Sequence, residues 1–244
     1  MATRRAGTAL GAGVVAAVAL AGAVPAAGAS PANAQPASAA AESTPPVATS
    51  TNADVDGDGR ADFTELKKIG IRSTDYIYRL STRTATKRRF STDIRVPRER
   101  DDLRTSEVWV GAAGVDGLRG AEIIVDRSGG IGDFPYNFVY TVRQGKWQLL
   151  LAPGAKSYRT SWSVANHPAY VSGYEFTMNR GIRRVVATRL QGLGGSPEAP
   201  IYNGKRITYR WVSGEWRHSG TVTVKNVPDK QAQEWSGWNG LIWR

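Results

Sequence analysis

The chain has 244 residues, no cysteine and eight tryptophans, and 32 Lys and Arg against 21 Asp and Glu give a formal net charge of +11. Without cysteine there are no disulfides, thiol nucleophiles or lipidated cysteine anchors, so the folded part stands on its core alone. The positive balance attracts polyanions, yet no nucleic-acid motif accompanies it, and a specific nucleic-acid reader is not expected.

Residues 1–34 read as a signal peptide. Arg4 and Arg5 precede an Ala/Gly/Val-rich apolar run to about Val24, and cleavage signals follow at Ala27-Gly28-Ala29 and Ala32-Asn33-Ala34. Gly7, Gly11, Gly13 and Gly22 interrupt the run, which suits a cleaved leader better than a permanent anchor. The adjacent arginines leave both the general and the twin-arginine export routes open. Cleavage removes two arginines and no acid, taking the formal charge from +11 to +9. No later segment is long and apolar enough for a membrane anchor, so a secreted monomer is expected. Residues 35–53, rich in Ala, Pro, Ser and Thr, bury too little to order themselves and read as a disordered linker.

Residues 54–244 then form one domain in which strand signals dominate. The stretch from Lys67 to Arg104 carries twelve Lys and Arg against five Asp and Glu, including Lys87-Arg88-Arg89. It reads as a basic face, solvated or offered to an extracellular polyanion or glycan such as a cell-wall polymer. Ile123-Ile124-Val125 is a β-branched strand closed by Ser128-Gly129-Gly130. Phe138–Val142 turns at Gln144-Gly145 and returns through Trp147–Leu151. Tyr174–Met178 turns at Asn179-Arg180-Gly181 and returns through Val185–Ala187. Ile207–Val212 turns at Ser213-Gly214 before a strand around Thr221–Val224. One short helix is expected from Asp229 to Trp235, opened by Pro228 and stopped by Gly237. The predicted class is all-β and mostly antiparallel, with propeller-like or stacked sheet repeats and that single C-terminal helix.

Two internal similarities support repeats. Val55-Asp56-Gly57 with Ala61-Asp62-Phe63 recurs as Val115-Asp116-Gly117 with Ala121-Glu122-Ile123. Tyr140-x-Val142-x-x-Gly145-x-Trp147 recurs as Tyr209-x-Trp211-x-x-Gly214-x-Trp216.

The most informative stretch is Asp54-Val55-Asp56-Gly57-Asp58-Gly59-Arg60-Ala61-Asp62. Carboxylates at alternate positions converge only if the backbone curls, and crowded together they repel unless a cation neutralises them. Calcium, with six to eight hard oxygen ligands, suits such a loop and also takes a backbone carbonyl, here that of Arg60. Glu65 stands at the twelfth position of an EF-hand, but Thr44-Pro45-Pro46-Val47 cannot supply the entering helix. Because the second copy runs into Ile123-Ile124-Val125, the first is expected to run into a strand at Phe63–Leu66.

The motif resembles the calcium loop of FG-GAP/VCBS repeats, the blade units of integrin-type propellers, and the wider chain resembles secreted actinobacterial proteins carrying such repeats. The resemblance implies a structural calcium ion with Asp54, Asp56, Asp58 and Asp62 as side-chain ligands and Arg60 as a carbonyl ligand. The second copy departs from it, since Gly114 and Leu118 replace the first and third aspartates. Asp116 and Glu122 alone are too few for a dedicated site, so that loop is expected to keep the turn without a firmly held metal.

Catalytic signals are weak. His167 and His218 lie in no recognised nucleophile or metal motif. Asp126, Asp133 and Glu175 offer carboxylates for a glycosidase-type pair, but sequence does not bring them together. Trp235, Trp238 and Trp243 near the end either pack the tail or form a glycan platform. The reading is a secreted, calcium-stabilised binding or scaffold protein without catalysis. The alternatives are a carbohydrate- or wall-polymer-binding module and a hydrolase using a carboxylate pair.

Overall fold

The computed structural model describes residues 48–130, 136–155, 161–194 and 200–244. The leader and most of the linker lie outside the described residues. So does Asp133.

The described residues form three antiparallel sheets and two short helices. The first sheet runs β1 (Ala48–Thr51), β2 (Phe63–Arg72), β3 (Asp75–Arg83) and β4 (Arg89–Pro97) in spatial order. A single-turn helix, α1 (Thr105–Val108), leads into β5 (Trp109–Ala113). The second sheet continues through β6 (Glu122–Asp126), β7 (Tyr136–Arg143) and β8 (Lys146–Leu150), and β9 (Trp162–Ser163) pairs with the start of β7. The third sheet runs β10 (Ala165–His167), β11 (Tyr170–Asn179), β12 (Ile182–Gly192), β13 (Ile201–Val212) and β14 (Glu215–Pro228). After α2 (Asp229–Glu234), β15 (Gly237–Asn239) lies parallel on β11, the exception to the antiparallel pattern.

The structure departs from the sequence expectation at three places. Ala48–Thr51, assigned to the linker, pairs with β2 from Lys67 back to Thr64. An edge strand needs a backbone partner more than large apolar side chains, and β2 supplies one. β3 and β4 occupy the stretch read only as a basic face. Tyr76, Tyr78, Leu80, Ile94 and Val96 point inward while the arginines between them point out. Finally, α1 adds a second helix, whose start is fixed by Arg104 N–H donating to Glu107 Oε2 at 2.8 Å and Glu107 N–H donating to Arg104 O at 3.1 Å.

Hairpin chemistry follows the residues. Gln144-Gly145, Arg180-Gly181 and Ser213-Gly214 each place two successive residues at positive φ, the two-residue turn that matches strand twist. The Tyr/Trp repeat is the same hairpin used twice: Val142 faces Trp147 across one turn as Trp211 faces Trp216 across the other.

The centre of the second sheet is buried on both faces. Ile123 and Val125 join Leu66, Tyr78 and Leu80 in a core shared with the first sheet. Ile124 points the other way, into a core with Tyr174, Phe176 and Val185 of the third. The unbroken Ile123-Ile124-Val125 run therefore reflects a strand covered on both sides rather than a half-exposed one. Trp162, 0% exposed, centres an aromatic cluster with Tyr174, Phe176, Trp216 and Trp238, and its Nε1–H donates to Leu150 O at 2.9 Å.

Candidate metal centre

The aspartate loop connects β1 to β2, and its shape comes from side chains accepting backbone N–H groups. Asp54 takes Gly57 N–H on Oδ1 (2.7 Å) and Gly59 N–H on Oδ2 (2.8 Å). Asp56 Oδ1 accepts from Asp58 N–H (3.2 Å), and Asp58 Oδ1 from Arg60 N–H (2.8 Å). Gly57 and Gly59, at φ of +81° and +86°, permit the curl. At Gly57 a Cβ would also lie 2.9 Å from Arg119 O. One oxygen from each of Asp54, Asp56 and Asp58 then lies within 4.8 Å of the others. Oxygens sharing one calcium ion at 2.3–2.6 Å are at most about 5 Å apart, so this donor set fits that cation.

Asp62, expected as a fourth side-chain ligand, lies outside this group of three. It is 1% exposed. Its Oδ2 accepts the N–H groups of Val55 (2.9 Å) and Asp56 (3.3 Å), and its Oδ1 accepts that of Ala85 (2.9 Å). It closes the base of the loop and ties it to the turn between β3 and β4.

The second copy connects β5 to β6 and repeats this base. Val115 N–H donates to Glu122 Oε2 (2.6 Å) as Val55 N–H does to Asp62, and Leu118 N–H donates to Asp116 Oδ1 (2.8 Å) as Asp58 N–H does to Asp56. The loops touch, with Ala121 N–H donating to Asp54 O at 2.7 Å. They differ in how the acids are neutralised. In the second loop the Arg143 guanidinium pairs with Asp116 and lies 4.0 Å from Glu122, while Arg183 donates to the carbonyls of Gly114 and Val115. In the first, no Lys or Arg among the described residues forms an ion pair with Asp54, Asp56 or Asp58.

The titration behaviour reflects the contrast. Partial desolvation, followed by the charges of Asp62, Asp58 and Asp54, holds Asp56 above the usual carboxylate range despite the N–H from Asp58. Burial raises Asp116 against the pull of Arg143 and Arg183, and burial together with Asp116 pushes Glu122 up to about 7. Sequence reasoning missed Arg143 and Arg183. They stand 27 and more than 60 residues from the groups they neutralise, and no local pattern announces them.

The remaining candidates have other partners. His167 Nδ1 accepts Ala169 N–H (3.1 Å), and His218 Nε2 lies 2.9 Å from Thr221 Oγ1 beside the Tyr209 ring. Asp126 caps a turn through Ser128, and Glu175 pairs with Arg206 on the third sheet. Trp238 packs into the core between the second and third sheets, Trp235 lies under Arg206, and Trp243 packs over Gly111. No protein-family model, curated protein or solved structure matches the chain.

Proposed function

We propose that this is an exported scaffold or binding protein built of β-repeats, in which a calcium ion held by the first loop completes the fold. Asp54, Asp56 and Asp58 would supply side-chain oxygens and Arg60 its backbone carbonyl. Asp62 would hold the loop base under the ion. The carrying observation is the pair of sibling loops. Where the second gathers two arginines around its acids, the first gathers three aspartates with which no cationic side chain among the described residues forms an ion pair. A divalent cation supplies the missing charge and favours the same inward curl. The resemblance to the FG-GAP/VCBS calcium loop supports the same reading.

Extracellular calcium would load such a loop and low intracellular calcium would leave it mostly empty, so export would complete the fold as well as deliver it. The test is thermal melting of the purified chain with calcium, with magnesium and with a chelator. Calcium should raise the midpoint and magnesium should do so far less. An identical midpoint in all three conditions refutes the reading.

A further inference from the structure

We propose that the outer face of the first sheet carries a binding site for ester sulfate or phosphate groups on an extracellular glycan. It rests on the exported binding role above and gives that role a ligand class.

Register carries the inference. Phe63, Arg83 and Arg89 stand directly opposite one another on β2, β3 and β4. Like charges facing each other across strands are destabilising, and no carboxylate among the described residues pairs with either arginine. Two rows along the same face, the sheet manages a cation differently: Arg79 forks onto Asp93 through Nε–Oδ1 (2.7 Å) and Nη2–Oδ2 (3.0 Å). The Arg83–Arg89 pair, facing across β3 and β4 with no such carboxylate, has the form of an anion site rather than of an ion-pair network.

The surroundings are open depressions in the outer face of the sheet, lined by exposed basic side chains. Two adjoining cavities of about 530 and 450 Å³ share Phe63, Arg83 and Arg89 in their walls, and the second adds Lys87. Lys87 sits at a φ of +66° in a turn held by its N–H to Thr84 O (2.8 Å) and by Thr84 N–H to Arg88 O (2.9 Å). Asp62 also lines the second cavity, but it is 1% exposed and its carboxylate accepts the backbone N–H groups of Val55, Asp56 and Ala85. Two guanidinium forks and an ammonium group suit the several oxygens of a sulfate or phosphate ester.

The neighbours choose the carrier. Phe63 is 43% exposed and offers apolar surface beside the two arginines. The next row along the sheet is Glu65–Ser81–Ser91, whose hydroxyls and single carboxylate suit sugar hydroxyls. That carboxylate would repel the next charge of a closely spaced phosphodiester chain. An isolated ester charge on a hydroxyl-rich ring fits both rows; a nucleic-acid strand fits one.

The test is binding of the full chain, in calcium and at low ionic strength, to a sparsely substituted dextran sulfate, a phosphomannan, unmodified dextran and oligo(dT). Dextran sulfate or phosphomannan should bind and dextran should not, the better of the two identifying the ester. Arg83→Gln with Arg89→Gln should weaken that binding at least about tenfold, whereas Lys205→Gln with Lys225→Gln, which removes equal charge from the third sheet, should change it less than about twofold. Absence of binding to both charged glycans overturns the proposal. So does equal weakening by the control variant, or tighter binding of oligo(dT). Calcium-dependent melting of the same variants separates the two readings. A parent that binds the glycan without any calcium shift refutes the metal site alone, and a calcium shift without glycan binding refutes this site alone.

Discussion

Replacing Asp56 by Ala should reverse its effect on stability according to whether calcium is present. Without metal, the Asp56 carboxylate lies within 4.8 Å of oxygens on Asp54 and Asp58. At that distance each like-charge pair costs roughly 0.5–0.9 kcal/mol in water with physiological salt, so removing Asp56 relieves about 1–2 kcal/mol. The substitution also removes an acceptor for the Asp58 N–H at 3.2 Å in an exposed setting, worth about 0.5–1 kcal/mol. In chelator Asp56→Ala should therefore melt at or slightly above the parent. In calcium the order should invert. A site with a dissociation constant of roughly 10⁻⁴–10⁻³ M, at about 2 mM calcium, stabilises the parent by about 0.6–1.8 kcal/mol. For a domain of this size that is a rise of roughly 1–7 °C, and Asp56→Ala should lose most of it. The assay is a circular-dichroism melt of both proteins in calcium and in chelator. Equal calcium shifts in parent and variant would refute the reasoning. A variant more than about 1 kcal/mol less stable in chelator would refute it too, by making Asp56 a purely structural turn acceptor.

Glu122 gives a pH signature. Its folded pKa, raised to about 7 from an ordinary 4.5, means the folded state keeps a proton that the unfolded state has released. That contribution is full below about pH 4.5 and is lost as pH rises through 7. Urea unfolding should therefore show the parent losing up to about 3 kcal/mol relative to Glu122→Gln across this window, and parallel profiles would contradict the shift. Arg143→Leu should destabilise by about 3–5 kcal/mol at pH 8 by stranding the buried Asp116, and by clearly less at pH 5, where Asp116 and Glu122 are more protonated; a pH-independent loss would mean Arg143 acts only by packing. Trp162→Ala should cost about 3–5 kcal/mol in denaturant unfolding and disturb the near-ultraviolet aromatic signal, since the ring joins the second and third sheets; a loss below about 1 kcal/mol would show the cluster repacks.

Much of the second and third sheets was legible because their signals are local. A glycine after a residue that tolerates positive φ, flanked by alternating apolar positions, defines a two-residue hairpin within ten residues, as at Gln144-Gly145 and Ser213-Gly214. The convergence of Asp54, Asp56 and Asp58 was legible for the same reason: the three lie within five residues. β3 and β4 were missed although the alternation Tyr76, Tyr78, Leu80, Thr82 is present. The intervening cations look like a solvated tract, yet a strand with one face in water holds them readily. The linker assignment failed at Ala48–Thr51 because an edge strand borrows its order from its partner. α1 is too short for its residues to nucleate it, and it forms where Val108 and Leu103 meet the core. The guanidinium groups of the second loop come from β7 and β12, and only the tertiary fold decides that they meet Asp116 and Gly114.

The two loops separate what shapes such a turn from what neutralises it. In both, a buried acid at the ninth position receives the N–H of a buried valine at the second, so the base is fixed by hydrogen bonds that involve no cation. The loops differ at the tip. With Gly at the first position and Leu at the fifth, one acid remains there, and the Arg143 guanidinium from β7 pairs with it while Arg183 from β12 lies close by. With Asp at both, three carboxylates converge, and a planar fork on one strand has too few donors and too little charge to satisfy them. A small divalent ion that accepts oxygens from every side is the economical answer. On the proposed reading, one repeat therefore keeps a stability independent of its surroundings, through residues bound to the chain. The other depends on the medium, and that dependence is what confines its completed form to a calcium-rich exterior.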